Sequence, residues 1–205
     1  MRRRDEPASW FGATEPAPAG PPRVAAPSEV APETQELLAK TVLSAGQEPL
    51  NIFRTLAVNP GLLKRVNVYS GFFIARGTLS PRIRELLILR VACRVDCRYE
   101  WQQHMHLAHA AGLTDADVGA VEQGLLHPWA KPEAAALALA DDLLETDDVS
   151  QRTWEDATTT GWTDAQLVEM IMLVGSYRMV AGFLRGARIP VDDRLAPDLS
   201  TERPL

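Results

Sequence analysis

Four residues whose side chains transfer protons or act as nucleophiles lie close together in the sequence: Glu85, Cys97, Glu100 and His104. If the segment from Cys97 to His104 is helical, a turn of about 100° per residue places Glu100 near −60° and His104 near −20° from Cys97. The three side chains then share one face of the helix. A thiol, a carboxylate and an imidazole on one face form a set suited to proton transfer.

The same spacing predicts how these four groups influence one another. Cys97 would lie in the first helical turn, where unpaired backbone N–H groups favour a thiolate. His104 is four residues after Glu100 and is expected to pair with it. Glu85 would be about 18 Å from Cys97 on one straight helix. The chain must therefore turn between them if the two side chains are to act together. Asp96 is expected to cap a second helix that folds back and brings Glu85 to the site.

Spacing alone leaves simpler interpretations open. A single cysteine on an apolar helix face is often a small buried hydrophobic residue. A Glu–His pair can be an ordinary surface pair, and Glu85 lies among arginines that could form exposed salt bridges with it. Cys97, Glu100 and His104 could also hold a divalent ion, but structural zinc usually has four ligands and Cys-x-x-Cys spacing is absent. We therefore predict no metal site.

The elements around these residues are all predicted to be helices, because apolar residues recur at intervals of three and four. Pro81 directly after Ser80, the pair Thr114 and Asp117, and the residues Ser150 and Thr163 predict helix starts. No segment alternates with the period of a strand. The fold class is therefore all-α. The predicted helices span about 33–44, 52–58, 62–74, 81–93, 97–111, 115–123, 132–144, 150–159 and 164–186.

Composition narrows the classes of partner and compartment. The net charge is −6 and no basic stripe is present, which argues against nucleic acid. No apolar run approaches the roughly 20 residues that span a bilayer, so we predict no membrane partner and a cytoplasmic protein. We divide the chain into a flexible Pro/Ala-rich arm (1–31), one helical domain (32–192) and a tail (193–205). Apolar residues nearly surround two of the helices, which predicts a homo-oligomer.

The run from Glu85 through Cys97-x-x-Glu100-x-x-x-His104 resembles the carboxymuconolactone decarboxylase/alkyl hydroperoxidase (AhpD-like) superfamily. The likeness extends over about residues 33–190 and is specific across 81–118. It implies an AhpD-like helical bundle in which a helical hairpin carries the motif, assembled as a trimer, hexamer or dimer. In the hydroperoxidase members a second cysteine stands where this chain has Glu100, so a two-cysteine disulfide cycle of that kind is not available. A Cys93–Cys97 disulfide is a remote alternative.

Three functions from different classes follow from this resemblance. The first is cofactor-free acid/base chemistry, a decarboxylation or isomerisation of a small carboxylated or oxo-substrate. The second is a one-cysteine thiol peroxidase that uses Cys97, and the third is a non-catalytic helical oligomer that binds a ligand or partner. For the substrate, Arg98 or Arg178 would bind a carboxylate. The expected aromatic lining of the pocket consists of Tyr69, Trp101 and Tyr177.

Overall fold

The computed structural model describes residues 20–41 and 47–193, and within these ranges it contains nine α-helices and no strand. The all-α prediction is confirmed. The helices are α1 (Pro32–Ala39), α2 (Asn51–Leu56), α3 (Pro60–Ala75), α4 (Pro81–Arg94), α5 (Arg98–Ala110), α6 (Asp115–Gln123), α7 (Lys131–Thr146), α8 (Gln151–Thr159) and α9 (Asp164–Gly186). A short 3-10 turn, Gly124–Leu126, follows α6. The end predicted for the first helix and the first part of the arm lie outside the described residues.

Four of the predicted helix starts are confirmed by their capping bonds. The side chains of Ser80, Thr114, Ser150 and Thr163 each accept a hydrogen bond from the backbone N–H three residues on. These bonds satisfy donors that the first helical turn leaves unpaired. Local chemistry therefore fixes where α4, α6, α8 and α9 begin.

Helix α4 is the central element of the fold. Every residue from 83 to 92 on it is buried, and it packs against α5, α6, α7 and α9. Arg90 can be buried there because Asp141 of α7 binds it through two 2.8 Å hydrogen bonds, and it also donates to the Val121 carbonyl oxygen. The charge is thus paired, and the same contact joins α4 to its neighbours.

The turn between α4 and α5 differs from the prediction. Asp96 does not cap α5; it adopts a left-handed conformation with φ of 57°, and Cys97 is the N-cap residue. The Cys97 N–H donates to the Ala92 carbonyl oxygen at 2.9 Å, the long bond of a Schellman motif. Asp96 therefore ends α4 instead of starting α5. The resulting hairpin still folds α5 back along α4, as predicted.

Helix α9 has the length and apolar composition that a membrane span requires. The prediction that no apolar run approaches that length is therefore wrong for α9. Helix α9 is also a core helix: Leu167, Met170, Leu173 and Val174 are buried in the cluster between α4, α7 and α9. Since soluble core helices pass the same test, α9 alone is weak evidence for a membrane.

The described part of the predicted arm lies against the end of α9. The Arg23 backbone N–H donates to the Ala187 carbonyl oxygen at 2.9 Å, and its guanidinium donates to the Gly186 carbonyl oxygen at 3.0 Å. These bonds use carbonyl groups that the end of a helix leaves free.

Candidate active site

The α4–α5 hairpin brings Glu85 and His104 into contact. Glu85 is 1 % exposed, and its Oε2 lies 2.7 Å from His104 Nδ1. Its other oxygen, Oε1, accepts a 2.8 Å hydrogen bond from Arg84 Nε. Glu85 is therefore neither an exposed residue nor a simple surface ion pair.

The charges around Glu85 determine its protonation state, and Glu85 in turn orients the His104 ring. Burial by itself raises the pKa of Glu85, but His104 and Arg84 outweigh burial and lower that pKa below its ordinary value. An ionised Glu85 accepts the hydrogen bond from Nδ1–H, which leaves the lone pair of His104 on Nε2. His104 is thereby oriented as a base.

Glu100 is not the partner of His104, so the predicted i,i+4 pair is wrong. Glu100 is 2 % exposed, and neither of its carboxyl oxygens has a hydrogen-bond partner among the described residues. Burial raises the pKa of Glu100 well above its ordinary value. Glu100 is therefore a neutral acid over a pH range in which an exposed glutamate is ionised.

Glu100 and His104 line one small cavity of about 70 Å³ between α2, α3, α5 and α9. Asn67 of α3 also lines it: the Nδ2 group donates to the Leu37 carbonyl oxygen at 2.9 Å, whereas the buried Oδ1 has no partner in the described structure. Asn67 was not predicted from the sequence, because a single asparagine within a helix belongs to no recognisable motif. The cavity walls consist of Leu50, Ile52, Phe53, Val66, Asn67, Ser70, Ile74, Tyr99, Glu100, Gln103, His104, Ser176, Tyr177, Val180 and Leu184.

Tyr177 of α9 is the predicted aromatic residue that does lie at this site. Its ring meets the His104 imidazole edge to face, with 5.0 Å between the ring centroids. Burial, together with the nearby Glu85 and Glu100 carboxyls, raises the pKa of Tyr177 well above its ordinary value. Tyr177 thus keeps its phenolic proton and holds the imidazole in place.

Cys97 lies beside the cavity and does not line it. It is 1 % exposed and belongs to an apolar cluster with Ala181, Leu184 and Ile189. Neither Cys97 nor Cys93 forms a disulfide within the described residues. Cys93 belongs to a different cluster, and burial raises the pKa of its thiol to about 11.

The other predicted substrate-binding residues are dispersed. Tyr69 and Arg178 line a separate groove of about 620 Å³ between α3, α9 and the end of α7. Arg178 there forms an ion pair with Asp147. Trp101 is 5 % exposed in the core beside α4 and α6, and the half-buried Arg98 lines neither the cavity nor the groove. Their role in substrate binding stays a prediction.

The central part of the chain matches a known family. Residues 60–142, which include α3 to α6 and most of α7, match the sequence model of the carboxymuconolactone decarboxylase family. This segment is similar to the carboxymuconolactone decarboxylase family and carries Glu85, Cys97, Glu100 and His104. This agrees with the resemblance found in the motif from Glu85 to His104. No curated protein matches the chain significantly.

Several solved structures share the fold at low sequence identity. A peroxidase-related protein with an alkylhydroperoxidase AhpD core, from Ralstonia eutropha JMP134, is 16 % identical with a TM-score of 0.73, over 88 % of this chain and 95 % of its own. A peroxidase-related protein from Silicibacter sp. TM1040 is 17 % identical with a TM-score of 0.72, over 86 % and 95 %. The debrominase Bmp8, solved as a Cys-to-Ala variant with 2,3,4-tribromopyrrole, is 13 % identical with a TM-score of 0.61, over 78 % and 86 %.

Proposed function

We propose that this protein is a cofactor-free enzyme that moves a proton on a small oxo-substrate, in an isomerisation or a decarboxylation. The observation that carries the proposal is the pair of groups lining one cavity: the unpartnered acid Glu100 and the base His104 oriented by Glu85. An acid that burial keeps protonated and a base that a carboxylate orients are the two partners that enolisation requires.

The proposed step balances within the site. His104 Nε2 takes the proton from the carbon next to the substrate carbonyl group, and the C–H electron pair becomes the enol C=C bond. The carbonyl oxygen takes the proton of Glu100, which leaves the Glu100 carboxylate and a protonated His104. In a hydroxyketone, the protonated His104 then returns its proton to the former carbonyl carbon while the neighbouring hydroxyl gives its proton to the Glu100 carboxylate. A new carbonyl group forms at the neighbouring carbon, and both residues regain their starting states. Glu85 stabilises the imidazolium through Nδ1.

Hydrogen–deuterium exchange tests the step without knowledge of the substrate. Small ketones and aldehydes in D₂O with the wild-type protein are expected to incorporate deuterium next to the carbonyl group, as measured by NMR. Glu100→Gln and His104→Gln are each expected to slow the exchange by about 10²–10⁴-fold. The matched control is His109→Gln, because His109 lies on the same helix but outside the cavity. Exchange that is equally fast in all variants would refute the proposal.

A one-cysteine thiol peroxidase is the second candidate, because Cys97 is the residue at which α5 begins, one helical turn before Glu100. The Cys97 thiolate would attack a peroxide oxygen, forming the S–O bond of a sulfenic acid as the O–O bond breaks and the alcohol leaves with a proton. An external thiol would reduce the sulfenic acid.

Sulfenic-acid trapping with mass spectrometry, after addition of hydrogen peroxide or cumene hydroperoxide, separates the two candidates. Rapid trapping that requires both Cys97 and His104 would favour the peroxidase. Oxidation of Cys97 no faster than that of a free thiol would remove that candidate. Cys97→Ser and His104→Gln serve as the paired variants.

The third candidate, a non-catalytic binding protein, would gain support if the four motif residues were exposed or scattered. The contact between Glu85 and His104 and the burial of Glu100 argue against it. A homo-oligomeric assembly and a cytoplasmic location belong to the proposal as well.

A further inference from the structure

We infer that the cavity at Glu100 selects a small uncharged molecule, with one polar head and an apolar body, over a carboxylate. This inference rests on the proposed function and narrows it to the isomerisation of an uncharged oxo-substrate, because a decarboxylation needs a carboxylate. It also replaces the expectation that Arg98 or Arg178 binds a substrate carboxylate, because neither arginine lines the cavity.

The charges around the cavity disfavour an anion. None of the described residues that line it is a lysine or an arginine. His104 is the one lining residue that can be cationic, and Glu85 already engages its Nδ1. A carboxylate would therefore enter beside Glu85 and Glu100 with no free counter-charge, and burial of an unpaired charge is far more costly than burial of a neutral polar group.

The polar atoms of the cavity define the head group. Three buried atoms lack a hydrogen-bond partner in the described structure: both carboxyl oxygens of Glu100 and Oδ1 of Asn67. A protonated Glu100 offers one donor and one acceptor, and Asn67 Oδ1 offers an acceptor. The complementary head has an acceptor next to a donor, as in an amide, a hydroxyketone or a hydroperoxide.

The remaining walls and the volume define the body of the ligand. Leu50, Phe53, Ile74, Val180 and Leu184 give the cavity an apolar side. Its volume of about 70 Å³ is roughly half that of a cavity known to accept benzene. The enclosed part of the ligand is therefore only a few non-hydrogen atoms in size.

A series of similar shape tests the charge selection: isobutyramide, isobutyrate and isobutylamine, titrated at pH 7 and followed by NMR. We expect the amide to bind at least tenfold more tightly than either ion. Glu100→Gln should preserve this order because the side chain stays neutral. Asn67→Ala should weaken amide binding about tenfold, whereas Asn59→Ala, at the exposed start of the same helix, should not.

Each other outcome overturns the inference. Tighter binding of isobutyrate would show a hidden cation, tightest binding of isobutylamine would show an ionised Glu100, and no binding would show that the cavity is closed to such ligands. The result is independent of deuterium exchange. Preferred binding of the amide without exchange would refute the proposed function and leave the substrate class intact.

A second inference comes from the opposite face of α9, and we propose that this face joins two copies of the chain in antiparallel fashion. Its exposed residues alternate at intervals of four and three, which on a helix forms one straight stripe. We call them the α9 stripe: Val168, Met172, Gly175, Met179, Gly182 and Gly186. The apolar members are 48–59 % exposed.

The glycines of the α9 stripe are not required by the described fold. A Cβ atom added at Gly175, Gly182 or Gly186 would meet nothing within 4 Å, and none of the three has a positive φ. Glycine within a helix is destabilising relative to alanine. A helix from another chain that approaches closely would account for three such positions on one face.

The order of large residues and glycines identifies the second chain as a copy of this one. If two α9 helices cross antiparallel about the midpoint of the stripe, Val168 faces Gly186 of the partner subunit and Met172 faces Gly182 of the partner subunit. Met179 likewise faces Gly175 of the partner subunit. Every large side chain then meets a glycine, which is the self-complementarity that a two-fold interface requires. A parallel arrangement would place methionine against methionine.

The surface beside the α9 stripe extends the interface. The 620 Å³ groove runs along it and is lined by Met172, Gly175 and Met179 together with residues of α3. On α3, Val68 and Phe72 are also exposed, at 74 % and 45 %. Exposed apolar side chains on two helices, beside a groove that also carries the Arg178–Asp147 ion pair, are typical of a protein–protein contact with a polar rim.

A size exchange between two positions tests the antiparallel register. Light scattering should show that Gly182→Met halves the mass of the assembly, because the introduced side chain would meet Met172 of the partner subunit. The double variant M172G/G182M exchanges the two sizes and should restore the wild-type mass. Gly119→Met is the matched control, since Gly119 is a helical glycine on α6 with equally open surroundings.

Circular dichroism would establish that each variant is folded. A monomeric wild-type protein would overturn the proposal and leave the stripe to a different protein or to a lipid surface. The proposal would also be overturned if G182M left the mass of the assembly unchanged, or if M172G/G182M did not restore the wild-type mass.

Discussion

The burial of Glu100, which the proposed function requires, lowers the free energy of unfolding above the ordinary pKa of glutamate. A glutamate that becomes buried without a partner must take up or keep a proton as the chain folds. Above the ordinary pKa of glutamate, the native state therefore binds more protons than the unfolded state. The free energy of unfolding falls as pH rises until the raised pKa of Glu100 is passed.

Glu100→Gln is expected to remove this pH dependence, since glutamine has a similar shape and no charge. From about pH 4.5 upward the wild type should lose stability relative to the variant by up to about 1.4 kcal/mol per pH unit, until its folded pKa is reached. Urea unfolding at pH 5, 6, 7 and 8 measures the difference. Glu145→Gln, on the exposed end of α7, is the control. A difference between wild type and Glu100→Gln that does not change with pH would contradict the argument.

For the single residues of the site, the sequence predicted their positions better than their hydrogen-bond partners. The helical spacing placed Glu100 and His104 on one face, and both line the cavity. The spacing predicted Glu100 as the hydrogen-bond partner of His104, whereas the partner in the structure is Glu85. The spacing could not show this contact, because a bond across a hairpin depends on how two helices pack. Asn67 could not be predicted, since its significance arises only from the atoms around it.

At the scale of elements, Arg82 connects three helices around the start of α6. It binds Asp117 at 3.1 Å and Glu133 at 2.8 Å, and it donates to the Gly112 carbonyl oxygen at 2.9 Å. Asp117 also completes the capping box with Thr114. The hydrogen bond from Arg82, with those from Thr114, lowers the pKa of Asp117 to about 2.

Asp117→Asn is expected to cost about 1 kcal/mol at pH 7, the usual value of a helix cap. A lowered pKa stabilises the fold above the ordinary pKa of aspartate, and that contribution disappears as pH falls through about 2. The destabilisation caused by Asp117→Asn should therefore have its full size at pH 7 and pH 5 and be small at pH 2. Chemical denaturation at the three pH values measures it. Asp115→Asn, in the same helical turn but exposed, should have little effect, and an equal loss in both variants would contradict the role of Arg82.

The starts of α4, α6, α8 and α9 followed from the sequence, because the side chains of Ser80, Thr114, Ser150 and Thr163 cap them. The start of α5 did not, because two interpretations of Asp96 compete. An aspartate can cap the next helix or adopt the left-handed conformation that ends the previous one. Glycine usually signals the second case, and here an aspartate takes its place.

At the scale of the whole molecule, α9 serves two surfaces at once. One face carries Tyr177, Val180 and Leu184 to the cavity, and the opposite face is the α9 stripe. The nearly all-round apolar pattern of this helix predicted that it needs more cover than one small domain supplies. The sequence could not show which side the domain covers, because that depends on the packing of α4 and α7 against it.

Pairing through the α9 stripe would couple stability to protein concentration, because dimers are favoured as concentration rises. From the usual unfolding enthalpy per residue, Tm should rise by roughly 2 °C for each tenfold increase in concentration if unfolding and dissociation are coupled. Calorimetry from micromolar to near-millimolar concentration measures this slope. In Gly182→Met the slope should vanish, whereas Gly119→Met should keep it. Equal slopes in both variants would place the contact between copies on another face and leave the glycines of α9 without a partner chain.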